Sequence, residues 1–345
     1  MTLGTYIIVS IIKIVIALLV LLTGVAYTVW LERKLVGRIQ NRWGPTRVGP
    51  FGLLQPLADG AKFLFKEDIT PPHVYKPLYI AAPMIAMVFA VSSMAVIPIG
   101  DWVTVGGVKT PLQITDLNIG LLVILGITSI GIYGIALAGW ASNSKYSLLG
   151  GLRATAQMVS YEVALGLSLV GVLILSGTFS LRGIVDAQAG TWWGWLPKWN
   201  FFQGQFVAFF IYLMAAFAET NRVPFDLPEA ETELVAGYHT EYSAMKFAMF
   251  FMAEYANMFT VACLASLLFL GGWHGPLFGP IWLQEILPVF WFALRVFAFI
   301  FLYIWIRGTL PRFRYDQLMK FGWKVLLPLA VANLVITGLV VALRA

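Results

Sequence analysis

The chain has 345 residues, 59% of them hydrophobic and 12% charged, with 23 Lys and Arg against 17 Asp and Glu. A soluble globular chain carries about twice that charge fraction, which excludes a soluble domain. The net charge of +6 gathers in the segments between apolar runs, so it reads as a topology signal and gives no ground for nucleic-acid binding.

Eight runs come close to or exceed the roughly 20 apolar residues that cross a bilayer. They are residues 5–30, 78–99, 117–139, 154–176, 203–218, 243–270, 286–306 and 324–343, the fifth being the shortest. The expected fold is an all-α polytopic membrane protein, a single transmembrane domain over residues 1–345. The first run is too long for the apolar part of a signal peptide and lacks a small-residue cleavage site, so it is read as a retained span. Odd-numbered loops hold sixteen Lys and Arg, whereas even-numbered loops hold only Lys109, Arg182 and Lys198. The positive-inside rule then puts odd loops in the cytoplasm and both termini outside.

The first loop, 32–76, is the longest. Its start carries Arg33, Lys34, Arg42, Trp43 and Arg47, and two Gly-Pro pairs at 44–45 and 49–50 fix an irregular path. Over Leu53–Lys66, residues Leu54, Leu57, Ala61, Leu64 and Phe65 fall within roughly 100° of one another, which predicts a short amphipathic helix. The loop is either a surface-hugging connection whose charges set topology, or a docking platform for a soluble partner above an apolar doorway.

Carboxylates then appear at membrane depth. Glu162 lies about nine residues into the fourth run, roughly 14 Å deep, and Glu254 lies at a similar depth in the sixth. Arg295 lies within the seventh. Ionised groups at such depth are functional candidates by default. Lys246, Glu254 and Asn257 project within roughly 80° of one another and form a polar stripe. Met245, Met249, Met252 and Met258 line the same run, either as adaptable packing or against a flexible apolar ligand.

Between the fifth and sixth runs, residues 219–241 hold six acids: Glu219, Asp226, Glu229, Glu231, Glu233 and Glu241. Arg222 and Phe225 lie among them. Two readings remain open. The buried charges form a structural ion-pair set, for example Arg295 neutralising a glutamate. Alternatively the carboxyls form a proton relay, and the acidic stretch above two buried glutamates favours this connected path.

The single cysteine, Cys263, reads as a small buried hydrophobe. Iron–sulfur clusters generally need four thiolates, so any such cluster must lie on a partner. His73, His239 and His274 are spaced as loop or interface residues, and no metal site is expected. No GxGxxG or P-loop pattern points to a nucleotide.

Two segments carry a family resemblance. Residues 32–45, beginning Glu32-Arg33-Lys34 and ending Arg42-Trp43-Gly44-Pro45, with Gln55–Lys62, resemble the first signature of the H subunit of NADH:quinone oxidoreductase, respiratory complex I. Residues 218–234, from Ala218-Glu219-Thr220-Asn221-Arg222 through Pro224-Phe225-Asp226, resemble the second. The resemblance extends over essentially the whole chain. It implies a membrane subunit beneath a hydrophilic arm, helping to form the chamber in which quinone is reduced by an iron–sulfur cluster on a neighbouring subunit. It further implies that FMN and iron–sulfur clusters lie on partner subunits, with other membrane-arm subunits alongside, in a bacterial inner membrane. Glu162, Glu219 and Glu254 match buried carboxylates at the start of a proton path, with Glu229, Glu231 and Glu233 as further relay candidates. The chamber or docking candidates are Arg33, Lys34, Arg42, Trp43, Arg47, Arg222, Phe225, Asp226 and Glu241. The competing readings are a heel subunit of a membrane-bound hydrogenase, a proton-coupled secondary transporter and a structural anchor. The absence of an internal repeat counts against the transporter, and the intramembrane charges count against the anchor.

Overall fold

Backbone N–H and C=O groups must be paired internally in lipid, so the apolar runs become helices. The computed structural model describes all residues except 1–2, 106–107, 193, 195, 227–235 and 345. Its helices are α1 (Leu3–Ile39), α2 (Gln55–Phe65), α3 (Lys76–Ser92), α4 (Gly120–Ala141), α5 (Lys145–Ser176), α6 (Leu181–Ala187), α7 (Phe206–Glu219), α8 (Ala244–Phe269), α9 (Ile281–Thr309), α10 (Tyr315–Phe321) and α11 (Leu327–Arg344). A π-helical turn, Gly322–Leu326, joins α10 to α11. Two small antiparallel hairpins lie in the connections. One pairs Trp102–Val105 with Val108–Pro111, and the other pairs Thr191–Trp192 with Leu196–Pro197.

Among the described residues, seven helical segments are long and apolar enough to cross a membrane: α1, α3, α4, α5, α8, α9 and the continuous α10–α11. The eighth expected span, α7, has only 14 residues. At 1.5 Å per residue it covers about 21 Å, less than the roughly 30 Å hydrocarbon thickness. It is nevertheless well buried, with Ala208, Ile211, Tyr212 and Ala215–Ala218 enclosed by neighbours. Its early end leaves the following turn recessed in the bundle, where Thr220, Asn221, Arg222 and Asp226 are all buried. Irregular backbone at this depth is tolerated when protein surrounds it.

Neighbouring helices pack in the order α3 on α4, α4 on α5, and α5 on both α7 and α11, while α8 lies against α3. Lipid tails are as apolar as leucine, so close packing of small residues drives association here. A Cβ on Gly134 would lie 2.8 Å from the Ala86 nitrogen, and one on Gly139 would lie 3.0 Å from the Gly151 Cα. Helix α1 stands at the edge against α8 and α9, with Ile8, Ile12, Ile16, Leu19 and Val20 exposed on its outer side.

Two expected boundaries are corrected. The stretch beginning at Glu32 continues α1, where a loop was expected. Glu, Arg, Lys and Leu are strong helix formers and prolong the helix past the apolar run. It ends when Asn41 turns left-handed (φ 55°) and the Arg42 N–H bonds the Gly37 carbonyl at 2.8 Å. Helix α5 likewise starts at Lys145, well before the expected 154, so Glu162 lies near the middle of a 32-residue helix. The amphipathic helix α2 forms slightly inside its expected bounds. Leu57, Leu64 and Phe65 on it are exposed.

Gly150 on α5 touches the turn that precedes α8. A Cβ there would lie 2.7 Å from the Gly237 Cα and 2.8 Å from the Tyr238 nitrogen. Gly150→Ala therefore forces two backbones apart. Its expected cost is about 1–3 kcal/mol. A lowered unfolding temperature of the membrane-extracted protein checks it, and an unchanged temperature contradicts it.

Candidate functional site

Three helices, the turn after α7 and the segment that follows α9 bring a group of charges together at the end of the bundle that carries the 32–76 segment. On α1, Leu21, Val25, Thr28 and Glu32 follow helical spacing along one buried face. The Glu32 carboxylate therefore points inward. It receives Arg222 Nη1 at 3.3 Å, the Tyr255 hydroxyl at 2.9 Å and the Arg307 guanidinium. Arg222, presented by the recessed turn after α7, also pairs through Nε with Glu254 on α8 at 2.7 Å. The Tyr255 ring lies 4.1 Å from the Arg222 Cζ, adding a cation–π contact. At the rim, Arg312 pairs with Asp226 at 3.0 Å. Three carboxylates and three guanidiniums thus form a balanced set, with Glu32, Arg222, Glu254 and Asp226 enclosed and Arg307 and Arg312 nearly half-exposed. Burial pushes the Asp226 carboxyl above the usual range, and Arg312, Arg307 and Arg222 offset part of that effect.

Behind this set lies a cavity of about 30 Å³, lined by Glu254, Asn257, Glu219, Asn221, Tyr238 and apolar neighbours. A water needs about 10–15 Å³ measured this way, and two to four polar partners. Glu219 Oε2 and Asn257 Oδ1 are buried and have no hydrogen-bond partner among the described residues. The cavity therefore has both the room and the acceptors for water between the Glu254 and Glu219 carboxyls. Glu219 in turn feels the charge of Glu162. The Ser129 hydroxyl on α4 donates to the Glu162 carboxylate.

Of the sequence candidates, Arg222, Asp226, Glu254, Glu219 and Glu162 thus form a row running from the bundle end inward. Phe225 is buried at its start, its ring 5.6 Å from that of Tyr161. The basic candidates on α1 and the following loop do not join it. Arg33 pairs with Asp59 of α2 at 2.8 Å, and Lys34 sits 5.9 Å from the Trp30 ring. Arg42 bonds Gln40 at 2.8 Å, while Trp43 is exposed and carries Arg38 4.4 Å from its ring. Arg47 is exposed. The Glu241 carboxylate lies 3.9 Å from His73, and its carbonyl accepts the Tyr79 hydroxyl at 2.6 Å. Glu229, Glu231 and Glu233 lie outside the described residues.

The suggested pairing of Arg295 with a glutamate is corrected. Its guanidinium donates to the Gly272 and His274 carbonyls and stacks 4.9 Å from Trp199. Arg222 is the cation that meets Glu254. Lys246, on the same stripe as Glu254, turns instead to Asp68 at 2.9 Å and Thr70 at 2.9 Å. Sequence reasoning missed Glu32, Tyr255 and Arg307 as members of the cluster. A signal existed: Val296, Ile300, Tyr303 and Arg307 on α9 repeat the helical spacing that carries Glu32 inward on α1.

One histidine stands in the segment between the cavity and α8. His239 packs edge-on against Tyr238, Phe247 and Phe251, and burial pushes its imidazole down to about 4. A neutral buried histidine stabilises the fold fully above the free-histidine value near 6.5. As pH falls toward 4, the opened chain takes a proton that the folded one refuses, so stability is lost across that window. Hydrogen exchange at residues 237–242, corrected for intrinsic rates, should therefore quicken from pH 7 to pH 5, and less so in His239→Gln. Equal protection in both proteins at both pH values would contradict this.

The same chain resembles known sequences throughout. The family model described as NADH dehydrogenase matches residues 12–338. The second of the NADH-quinone oxidoreductase H subunits of Koribacter versatilis (strain Ellin345) is 69% identical over 356 aligned residues, covering 99% of both chains. The chain belongs to the family of NADH-quinone oxidoreductase H subunits. The first H subunit of Solibacter usitatus (strain Ellin6076) is 50% identical over 99% of this chain and 98% of its own. The second H subunit of Geobacter metallireducens is 52% identical over 98% of this chain and 97% of its own. Both segments that carry the family resemblance in the sequence contribute to the charged cluster, the first through Glu32 and the second through Arg222 and Asp226.

Proposed function

We propose that this chain is the membrane subunit of a proton-translocating NADH:quinone oxidoreductase that couples quinone reduction to proton movement through its buried carboxyls. The observation that carries this reading is the cavity shared by Glu254 and Glu219, with Glu254 held by Arg222 in the cluster at the bundle end. Reduction of a quinone to a quinol takes two electrons and two protons. Negative charge developing on its oxygens attracts cations and draws protons from nearby donors. A shift of Arg222, or a proton leaving the cluster, changes the field at Glu254. Water in the cavity then provides a route for a proton between Glu254 and Glu219, and Glu162 with Ser129 continues it toward the middle of the bundle.

The quinone lies in a chamber between the cluster and a hydrophilic arm, its tail along the apolar surface of α1 and α8. The arm subunits carry FMN and the iron–sulfur clusters, including the terminal cluster, and the chief contacts to the quinone headgroup. Exposed Trp43, Arg42 and Arg47, with the exposed apolar face of α2, suit a platform for those subunits. The kinship with bacterial H subunits supports a bacterial inner membrane, and the distribution of Lys and Arg supports odd-numbered loops on the cytoplasmic side with both termini periplasmic.

Purification tests the reading. A tagged chain should bring with it a flavin-bearing NADH module and quinone-linked NADH oxidation. Recovery with a nickel–iron subunit, or alone as a functional transporter, would overturn it.

A further inference from the structure

We infer that Gln157 is a positioning residue that sets the spacing of the charged turn after α7. Its side chain on α5 is wholly buried, and its amide nitrogen reaches three acceptors. These are the Ala218 carbonyl at 2.9 Å, the Asn221 Oδ1 at 3.2 Å and the Phe225 carbonyl at 2.8 Å. Each acceptor belongs to the residue immediately before a charged one: Glu219, Arg222 and Asp226. One amide thus ties the start, middle and end of the turn to a single point on a membrane-spanning helix. Three acceptor oxygens around the nitrogen also fix which way the amide faces, because the flipped orientation would set oxygen against oxygen.

The neighbours of Gln157 serve the same turn. Met158 accepts a hydrogen bond from Asn221 Nδ2 at 3.5 Å, and the Tyr161 ring packs on Phe225. Asn221 holds a left-handed backbone (φ 48°), which lets its side chain turn toward α5 while Arg222 turns toward Glu32 and Glu254. Gln157 touches none of the charged side chains in the described contacts. Its effect passes through backbone and Asn221, so it acts on where Glu219, Arg222 and Asp226 stand and leaves their chemistry to them. Small displacements suffice, since a misplacement of about 1 Å can cost on the order of 10²-fold in rate.

This inference rests on the coupling role proposed above for the cluster, and the test separates the two. Gln157→Met keeps the length of the side chain and removes both donors. Asn221→Gly keeps the left-handed backbone and removes the middle tie together with the Asn221–Met158 contact, leaving the ties to the Ala218 and Phe225 carbonyls. Both are assayed in the assembled complex in proteoliposomes, with Glu254→Gln alongside. The readouts are quinone-linked kcat, the KM for quinone, protons moved per electron pair, and NADH oxidation by a water-soluble artificial acceptor. Gln157→Met should lower kcat by about 10-fold to 100-fold and reduce the proton ratio, with KM little changed and the artificial-acceptor rate kept. Asn221→Gly should fall between it and the parent. Wild-type kcat and proton ratio in Gln157→Met would overturn the assignment, and so would loss of assembly in both variants, which would leave Gln157 a folding residue only. If Glu254→Gln loses turnover while Gln157→Met keeps it, the positioning role alone fails. If Glu254→Gln also keeps full turnover, the coupling role of the cluster fails with it.

Discussion

Arg222→Met should destabilise the assembled protein by about 3–5 kcal/mol and abolish quinone-linked turnover. The arginine is the hinge of the cluster, since it meets Glu32 at 3.3 Å and Glu254 at 2.7 Å while stacking on Tyr255. Its removal affects the two glutamates unequally. Glu32 keeps Arg307 and the Tyr255 hydroxyl. Glu254 keeps no ion pair among the described residues, and an uncompensated charge at that depth costs several kcal/mol. A double variant isolates this contribution. Arg222→Met with Glu254→Gln should recover much of the stability lost by Arg222→Met alone, because it removes the stranded charge with its partner. Thermal unfolding of the purified complex measures both. Additive losses in the double variant would show that the pair does not interact.

Glu254→Gln should give the opposite signature. A glutamine oxygen still accepts from Arg222, so assembly and unfolding temperature stay close to the parent. The carboxyl proposed to exchange protons is gone, and quinone-linked turnover should fall by roughly 10²-fold, the range for loss of a positioned proton donor or acceptor. NADH oxidation by an artificial acceptor should remain, which places the defect downstream of electron entry. Unchanged turnover would reduce Glu254 to a structural counter-ion of Arg222. The two variants together separate the residue that holds the cluster from the one proposed to pass protons through it.

Membrane class and most helices were legible in the sequence because apolar length is a direct physical requirement of the bilayer. Helix ends were less so. The α1 extension to Ile39 and the α5 start at Lys145 depend on residues that are charged yet helix-forming, and hydropathy alone registers such residues as loop. This hid Glu32 from the candidate site. Once α1 continues, Leu21, Val25, Thr28 and Glu32 share one face, and Arg33 and Lys34 rotate away from it toward Asp59 and Trp30. Glu254 was legible for the same reason in reverse, as a carboxylate inside an apolar run. Its partner was not: Arg295 and Arg222 look alike in sequence, and only the short α7 reveals that Arg222 descends to meet Glu254. Gln157 carried no sequence signal at all, since an uncharged amide in a helix acquires meaning only from the three acceptors around it.

On the proposed proton route between the cluster and the bundle interior, Glu219 is the member on the far side of the shared cavity. The direct measurement is proton uptake or release per electron pair by proteoliposomes holding the complex with Glu219→Gln, driven by NADH and quinone. The account predicts an assembled complex with retained artificial-acceptor activity, and with quinone turnover and proton movement both strongly reduced. Full turnover with a full proton ratio in that variant would contradict it.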